Sequence, residues 1–153
     1  MQRAITLPIK GTFYYSAYAA MQEGLLSKNT VLSLKPDPDN RFDNYAIQIW
    51  LPFNIDKTND KTNVKKDLNE LGLLLGYIPK SLSKRIHRLF SSHLISDIHI
   101  VHYAQQGKRI EIDYQIIIDQ AWLPYLWLFI QSKIIAKFYS LKRTKERLFG
   151  HHS

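Results

Sequence analysis

The stretch Leu32-Ser33-Leu34-Lys35-Pro36-Asp37-Pro38-Asp39-Asn40-Arg41-Phe42-Asp43-Asn44-Tyr45-Ala46-Ile47-Gln48-Ile49-Trp50-Leu51 decides the reading of this chain. Both of its ends alternate. Leu32 and Leu34 share one face, and Ile47, Ile49 and Leu51 oppose Gln48 and Trp50, which is the period of half-buried strands over 31–35 and 46–51. Between them, two prolines in three residues fix a turn that leaves the first strand. Working outward, the pattern recurs. Leu73 to Ile78 is a short apolar run between Gly72 and Pro79, and Ile98 to Tyr103 is rich in β-branched residues. Ile110, Ile112, Tyr114, Ile116 and Ile118 line one face of the cleanest alternation, and Gln106-Gly107 turns the last two segments into a hairpin. Thr12 to Tyr18, aromatic and small, is read as the first strand. Six short strands with little helix between them predict a mainly β domain, a small barrel or sandwich.

Two segments keep helical period. After Pro79, whose missing donor suits a first turn, Leu82, Ile86, Leu89 and Phe90 make one buried face of a short helix. Lys80, Lys84, His87 and Arg88 lie opposite, with Arg85 flanking. By itself such a stripe is the ordinary solvated face of a helix. The second segment, from Pro124 to about Phe149, carries the stripe Leu126, Ile130, Ile134, Phe138 and Leu141. Its first turns are apolar nearly all round (Trp122, Tyr125, Leu128, Phe129), so it needs partners on more than one side. The β domain, a second copy of the chain, or a lipid interface would each serve. Residues 54–69 are polar, lack apolar period and read as a surface insertion. The chain thus divides into a β domain over 1–118 and a C-terminal amphipathic helix and tail over 119–153.

The 153 residues include 21 Lys and Arg against 13 Asp and Glu, a formal charge of +8. The excess is uneven: residues 71–110 hold six basic groups against one acidic, and 119–153 hold six against two. Clustered basic charge points to an anionic partner, of which nucleic acid is the commonest. The chain has no cysteine, which excludes disulfides, thiolate metal sites and cysteine nucleophiles. Met1 to Lys10 lacks the apolar run of a signal peptide. The longest apolar run, Ala121 to Ile130, contains Pro124 and falls well short of the roughly 20 residues of a membrane span. A cytoplasmic protein with no membrane partner is expected.

The acidic turn Asp37 to Asp43 invites a calcium-loop reading, which fails. Counting from Asp37, the sixth position is Phe42 rather than Gly and the twelfth is Gln48 rather than Glu. His99 and His102, three apart on a strand, are expected on opposite faces and so unable to share a metal. No phosphate-binding loop, dinucleotide fingerprint, zinc-protease or nucleophile-elbow motif is present. A nuclease built on Asp37, Asp39 and Asp43 is disfavoured, because metal-assisted cleavage wants carboxylates converging from several elements. No enzyme activity, cofactor or metal is therefore expected. The aromatics differ. With Phe13, Tyr14 and Tyr15 adjacent, at least one ring of the tyrosine pair must face away from the core of a strand. Outward rings beside Lys and Arg suit single-stranded nucleic acid, since every base has a face to stack; filling gaps in the β domain is the alternative.

Three blocks then occur in order: Gly11-Thr12-Phe13-Tyr14-Tyr15, the segment Leu32 to Ile47 quoted above, and Leu75-Gly76-Tyr77-Ile78-Pro79-Lys80. Together they resemble the HIRAN domain, found at the N-terminus of fork-remodelling Snf2-type DNA translocases and as small free-standing bacterial proteins. The resemblance covers about residues 5–118 and leaves the C-terminal helix outside. It implies an OB-like six-stranded β-barrel with one short helix, which grips single-stranded DNA, particularly its free 3′ end, without catalysis. By the same resemblance, Tyr14 and Tyr15 match the aromatic pair that holds the terminal nucleotides, and Phe42 matches a pocket aromatic. Asp43 matches the carboxylate that accepts from the terminal 3′-hydroxyl, and Lys80 a residue that meets backbone phosphate. Two positions depart from the pattern: Phe13 replaces a frequent Arg, removing a phosphate contact, and Tyr77 stands where end-binding members can have His.

A carboxylate in a phosphate-binding groove is unfavourable unless a donor faces it, so Asp43 reads as a selector for an unphosphorylated end. It reads equally as a cap for its own turn. The expected function is non-catalytic binding of single-stranded DNA or its 3′-hydroxyl end in repair or replication-fork processing. The expected interface is Tyr14, Tyr15, Phe42, Asp43, Tyr77, Lys80, Lys84 and Arg88. A repair helicase or nuclease is the protein partner this implies. The rival reading is an interaction module, self-associating as a homodimer through the 124–149 helix.

Overall fold

The computed structural model describes residues 2–53, 72–119 and 124–149. The insertion read at 54–69, Trp122 and Leu123, the side chains of Tyr125, Leu126 and Leu128, and the tail beyond Phe149 lie outside the described residues. The elements run β1 (Arg3–Pro8), α1 (Ala17–Gln22), β2 (Ser33–Pro36), β3 (Ile47–Pro52), β4 (Gly72–Tyr77), α2 (Lys80–Ser91), β5 (Ile95–Gln106), β6 (Arg109–Ile118) and α3 (Pro124–Phe149).

The strands form two antiparallel three-stranded sheets, ordered β1-β6-β5 and β2-β3-β4. Their apolar faces meet in one core. Ile5 and Leu7 of β1, Ile100 of β5 and the alternating Ile110, Ile112, Tyr114, Ile116 and Ile118 of β6 face Ile47, Ile49 and Leu51 of β3 and Leu75 of β4. Leu82, Ile86 and Leu89 of α2 close the same core, as their helical spacing requires.

The expected barrel does not close. Outside the two sheets, isolated backbone bridges join Lys10 to Tyr77 and Val31 to His99. The first depends on Gly76, whose φ is +154° and where a Cβ would stand 2.2 Å from the Lys10 carbonyl oxygen. Only glycine admits that approach, which gives the Leu75-Gly76-Tyr77 motif a structural cause.

The first strand is also misplaced by sequence reasoning. It is Arg3–Pro8, whose Ile5-Leu7 alternation Pro8 disguises, since proline is tolerated only at strand ends and edges. The aromatic run at 12–18 is a turn leading into α1, a second short helix that buries Ala17 and Ala20.

α3 packs along β1. Ile135 meets the core and Ser132 is buried, while Arg85 of α2 donates to Gln131. The stripe read from sequence faces the other way: Ile130, Ile134, Phe138 and Leu141 are between 40% and 64% exposed. The expectation for His99 and His102 is corrected as well. An irregularity in β5 between Ile100 and His102 sets them opposite Gln115 and Asp113, two residues apart on β6, and so on one face. They face different carboxylates: His99 is hydrogen-bonded to Asp97 at 2.7 Å, and His102 lies 3.7 Å from the Asp113 carboxylate. Among the described residues no His, Asp or Glu cluster could hold a metal, and no helix is long and apolar enough to cross a membrane.

Candidate nucleic-acid interface

Three pieces of backbone build this surface. The first is the turn after β1. Lys10 and Tyr77 exchange two backbone hydrogen bonds of 2.8 Å, the Tyr14 amide closes onto the Gly11 carbonyl at 2.9 Å, and the Ser16 amide donates to Leu74 at 2.9 Å. The Thr12 hydroxyl donates to the Ile110 carbonyl at 2.5 Å. Gly11, at φ +81°, lies under the Tyr15 ring, which a Cβ would meet at 3.1 Å. A turn pinned at both ends has no core to receive its tips, so Phe13 and Tyr14 are 63% and 82% exposed, with rings edge-to-face at 5.5 Å.

The second is the loop from β2 to β3. Asn40 Oδ1 accepts from the Phe42 and Asp43 amides at 3.0 and 3.2 Å, and its amide nitrogen donates to Asp37 Oδ2 at 3.2 Å. Asp43 Oδ1 accepts from the Tyr45 amide at 2.9 Å, so the capping role exists. Asp43 Oδ2 has no protein partner among the described residues. The loop lifts the Phe42 ring to 83% exposure beside that carboxylate.

The third is β4 running into α2. The Tyr77 hydroxyl donates to Asp37 Oδ2 at 2.8 Å and accepts from Gln48 at 3.2 Å, and Trp50 in turn donates to Gln48 at 2.9 Å. The Tyr77 ring stands 5.5 Å from that of Tyr15, joining the turn to the loop. The hydrogen bond from Tyr77 holds the Asp37 carboxyl below its usual range, more strongly than burial raises it. Burial first, then the carboxylate, pushes the Tyr77 phenol up to about 12. On α2, Lys80, Lys84 and Arg88 form one exposed stripe at i, i+4 and i+8. Lys84 Nζ sits 5.3 Å from the Tyr45 ring centroid, and His87 meets the same ring edge-on at 5.7 Å.

The eight residues read from sequence therefore fall into linked groups. Tyr15 joins Tyr77, Tyr77 joins the loop that carries Phe42 and Asp43, and Tyr45 joins that loop to Lys84. Lys80 and Arg88 extend the stripe in both directions. Tyr14 projects elsewhere, packing on Phe13 and lining a cavity of about 350 Å³. Sequence reasoning missed Tyr45, Asn40 and Gln48. Asn40 carried a signal, since an Asn two residues before an amide commonly bonds it; the links through Tyr45 and Gln48 are tertiary.

The sequence model of the HIRAN domain matches residues 3–119. The chain belongs to the HIRAN domain family. That membership carries DNA binding in the general sense. No curated protein matches the chain. A crystal structure of a protein from Lactobacillus plantarum is similar with a TM-score of 0.50 at 16% identity, covering 77% of this chain and 99% of that one. The HIRAN domain of human HLTF gives a TM-score of 0.47 at 14% identity, covering 88% of this chain and 84% of that one. At such identities the first likeness speaks for the fold alone. The family match ends before α3, so this HIRAN protein carries a helix beyond the domain.

Proposed function

We propose that the protein is a non-catalytic module that binds single-stranded DNA or its 3′-hydroxyl end, serving repair or replication-fork processing. The observation that carries this reading is the Asp37–Tyr45 loop. It presents an exposed phenyl ring and one open carboxylate oxygen at Asp43, and its Tyr45 ring stands 5.3 Å from the Lys84 ammonium. A ring stacks on a base, an ammonium meets phosphate, and a carboxylate accepts from a terminal hydroxyl while repelling a terminal phosphate. Tyr77 does not supply the cation a His could. It braces the loop instead, so the departure from the family pattern costs no framework.

Binding of a labelled single-stranded oligonucleotide across a salt series tests the reading. Phe42→Ala should weaken binding by about 1–3 kcal/mol without unfolding the protein. Lys84→Gln should flatten the salt slope by roughly 0.7. Salt-insensitive binding, unaltered in both variants, would return these side chains to an ordinary surface.

A second reading has its own observation. The exposed stripe Ile130, Ile134, Phe138 and Leu141 on α3 is an apolar face of the kind that pairs helices, and it supports self-association. Sedimentation of the wild type and of Ile134→Glu separates the two: a dimer lost in the variant, with DNA binding retained, assigns α3 to assembly.

A further inference from the structure

Side chains from β3, β4 and the β2–β3 loop form a hydrogen-bonded chain whose polarity is fixed at every step. Gln48 and Trp50 share the outward face of β3, and Gln48 stands opposite Tyr77 of β4. The Trp50 indole can only donate, and its Nε1–H reaches Gln48 Oε1 at 2.9 Å. That contact sets which way the Gln48 amide is turned, so Nε2 faces the Tyr77 hydroxyl and donates to it at 3.2 Å. Tyr77 has a single hydroxyl hydrogen, which goes to Asp37 Oδ2 at 2.8 Å. From the other side Asn40 Nδ2 donates to the same oxygen at 3.2 Å. This turns Asn40 Oδ1 toward the Phe42 and Asp43 amides, at 3.0 and 3.2 Å. Two arms, each beginning at a group that can only donate, therefore end on one carboxylate. The Tyr77 bond above all keeps the Asp37 carboxyl below its usual range, against burial, and Asn40 and Gln48 add to it.

We infer that Gln48 and Trp50 are positioning residues that set the selectivity for strand ends, acting through Tyr77, Asp37 and Asn40 on the Phe42–Asp43 backbone without touching the ligand. Without the indole N–H, the Gln48 amide is free to turn round and offer Oε1 to the Tyr77 hydrogen, drawing that hydrogen away from Asp37. A glutamate at position 48 does the same more strongly, since it still accepts from Trp50 but has nothing to donate to Tyr77. The one phenolic hydrogen then lies between two carboxylates that repel each other. In either case Asn40 is left to hold the loop alone. Stacking on Phe42 tolerates a shift of the ring, because it needs only a face. Telling a hydroxyl from a phosphate needs Asp43 Oδ2 at one place and one angle, so slack in the chain lowers end selectivity before it lowers binding. To that extent the inference rests on the DNA-binding proposal, whereas the link from Trp50 to the loop stands apart from it.

The test uses the full chain, the variants Trp50→Phe and Gln48→Glu, and two readouts. Without DNA, NMR should show the Phe42 and Asp43 amides exchanging with solvent about fivefold faster in each variant, the worth of one hydrogen bond. The amide of Ile116, buried on β6, should exchange as in the wild type; acceleration there as large as in the loop assigns the pair to overall stability and overturns the inference. With ten-residue oligothymidylates ending in a 3′-hydroxyl or a 3′-phosphate, both variants should lose most of the preference of the wild type for the hydroxyl end. The charge added in Gln48→Glu would by itself repel the phosphate end and widen that preference, so narrowing reports the loop. Ser33→Ala, at an exposed position opposite Trp50, should match the wild type in both readouts. Loop exchange unchanged in either variant, or a preference that either retains, overturns the inference and leaves the DNA-binding proposal standing. Faster loop exchange in a protein whose wild type binds both ends equally, or neither, overturns the end-reading proposal and with it the assignment of the pair to end selectivity.

Discussion

The Tyr77 hydroxyl donates to Asp37 Oδ2 at 2.8 Å, and this bond ties the end of β4 to the loop that presents Phe42 and Asp43. Through its backbone the same residue pairs with Lys10 at the turn that presents Tyr14 and Tyr15. One tyrosine thus ties together both segments that carry the exposed aromatic rings.

The pair makes stability depend on pH at both extremes, through the bond at Asp37 and chiefly through burial of the phenol at Tyr77. The Asp37 carboxyl titrates below its usual range, so its contribution is present above the ordinary carboxylate pKa, about 3.9, and is lost on acidification through the lower folded value. The Tyr77 phenol is raised to about 12. Its contribution is fully present below the unfolded value, about 10, and is lost as pH rises from there through the folded value. Tyr77→Phe should cost about 1 kcal/mol at neutral pH, the worth of one hydrogen bond. In urea unfolding the gap between wild type and variant should shrink above pH 10; a gap unchanged to pH 11.5 would mean that the phenol is not kept protonated by its burial and the facing carboxylate.

Gly76 should resist substitution. A Cβ there would lie 2.2 Å from the Lys10 carbonyl oxygen and 2.6 Å from Ile9 Cγ2, so Gly76→Ala must break the bridge between the sheets. A loss of about 2 kcal/mol or more is expected. Gly24 provides the comparison, since it also has a positive φ, +67°, but nothing lies within 4 Å of an added Cβ. Gly24→Ala should cost only the strain of its backbone, about 1 kcal/mol. Equal melting temperatures for the two variants would contradict the close approach.

The contrast between Gly76 and the aromatic turn shows what the sequence made legible. β3, β4, β6 and α2 were readable because each buries one face, and period 2 or 3.6 follows directly from that burial. The Phe13-Tyr14-Tyr15 run was misread as strand because β propensity reports a fit to a half-buried surface, and here a pinned turn holds the rings in solvent. The direction of α3 was illegible for a related reason. Its apolar residues outnumber those the β domain covers, so periodicity located a stripe without telling which side packs. Of the candidate site, Phe42 and Asp43 are named by the family resemblance that the Leu32–Ile47 block carries. The Tyr77–Asp37 and Tyr45–Lys84 links join segments distant in sequence, and only the folded chain brings them together.

Tyr114 offers a test of the core itself. It is fully buried on β6 and its hydroxyl has no hydrogen-bond partner among the described residues, while burial pushes the phenol far above its ordinary pKa. Leaving a buried hydroxyl unpaired costs about 1–3 kcal/mol, and phenylalanine removes the group while preserving the ring. Tyr114→Phe should therefore raise the melting temperature or leave it unchanged. A clear fall would reveal a partner for the hydroxyl in solution.

The central claim is that DNA is read at the loop held by Tyr77, with the open oxygen of Asp43 facing a strand end. Titrating wild type and Asp43→Asn with single strands ending in a 3′-hydroxyl or a 3′-phosphate tests it most directly. Asparagine keeps an acceptor for the Tyr45 amide and removes the charge, so the turn survives while the selector is lost. The account predicts tighter binding of the hydroxyl end by the wild type and a narrowed difference in Asp43→Asn. Equal affinity of the wild type for both ends, or no affinity for either, would contradict it.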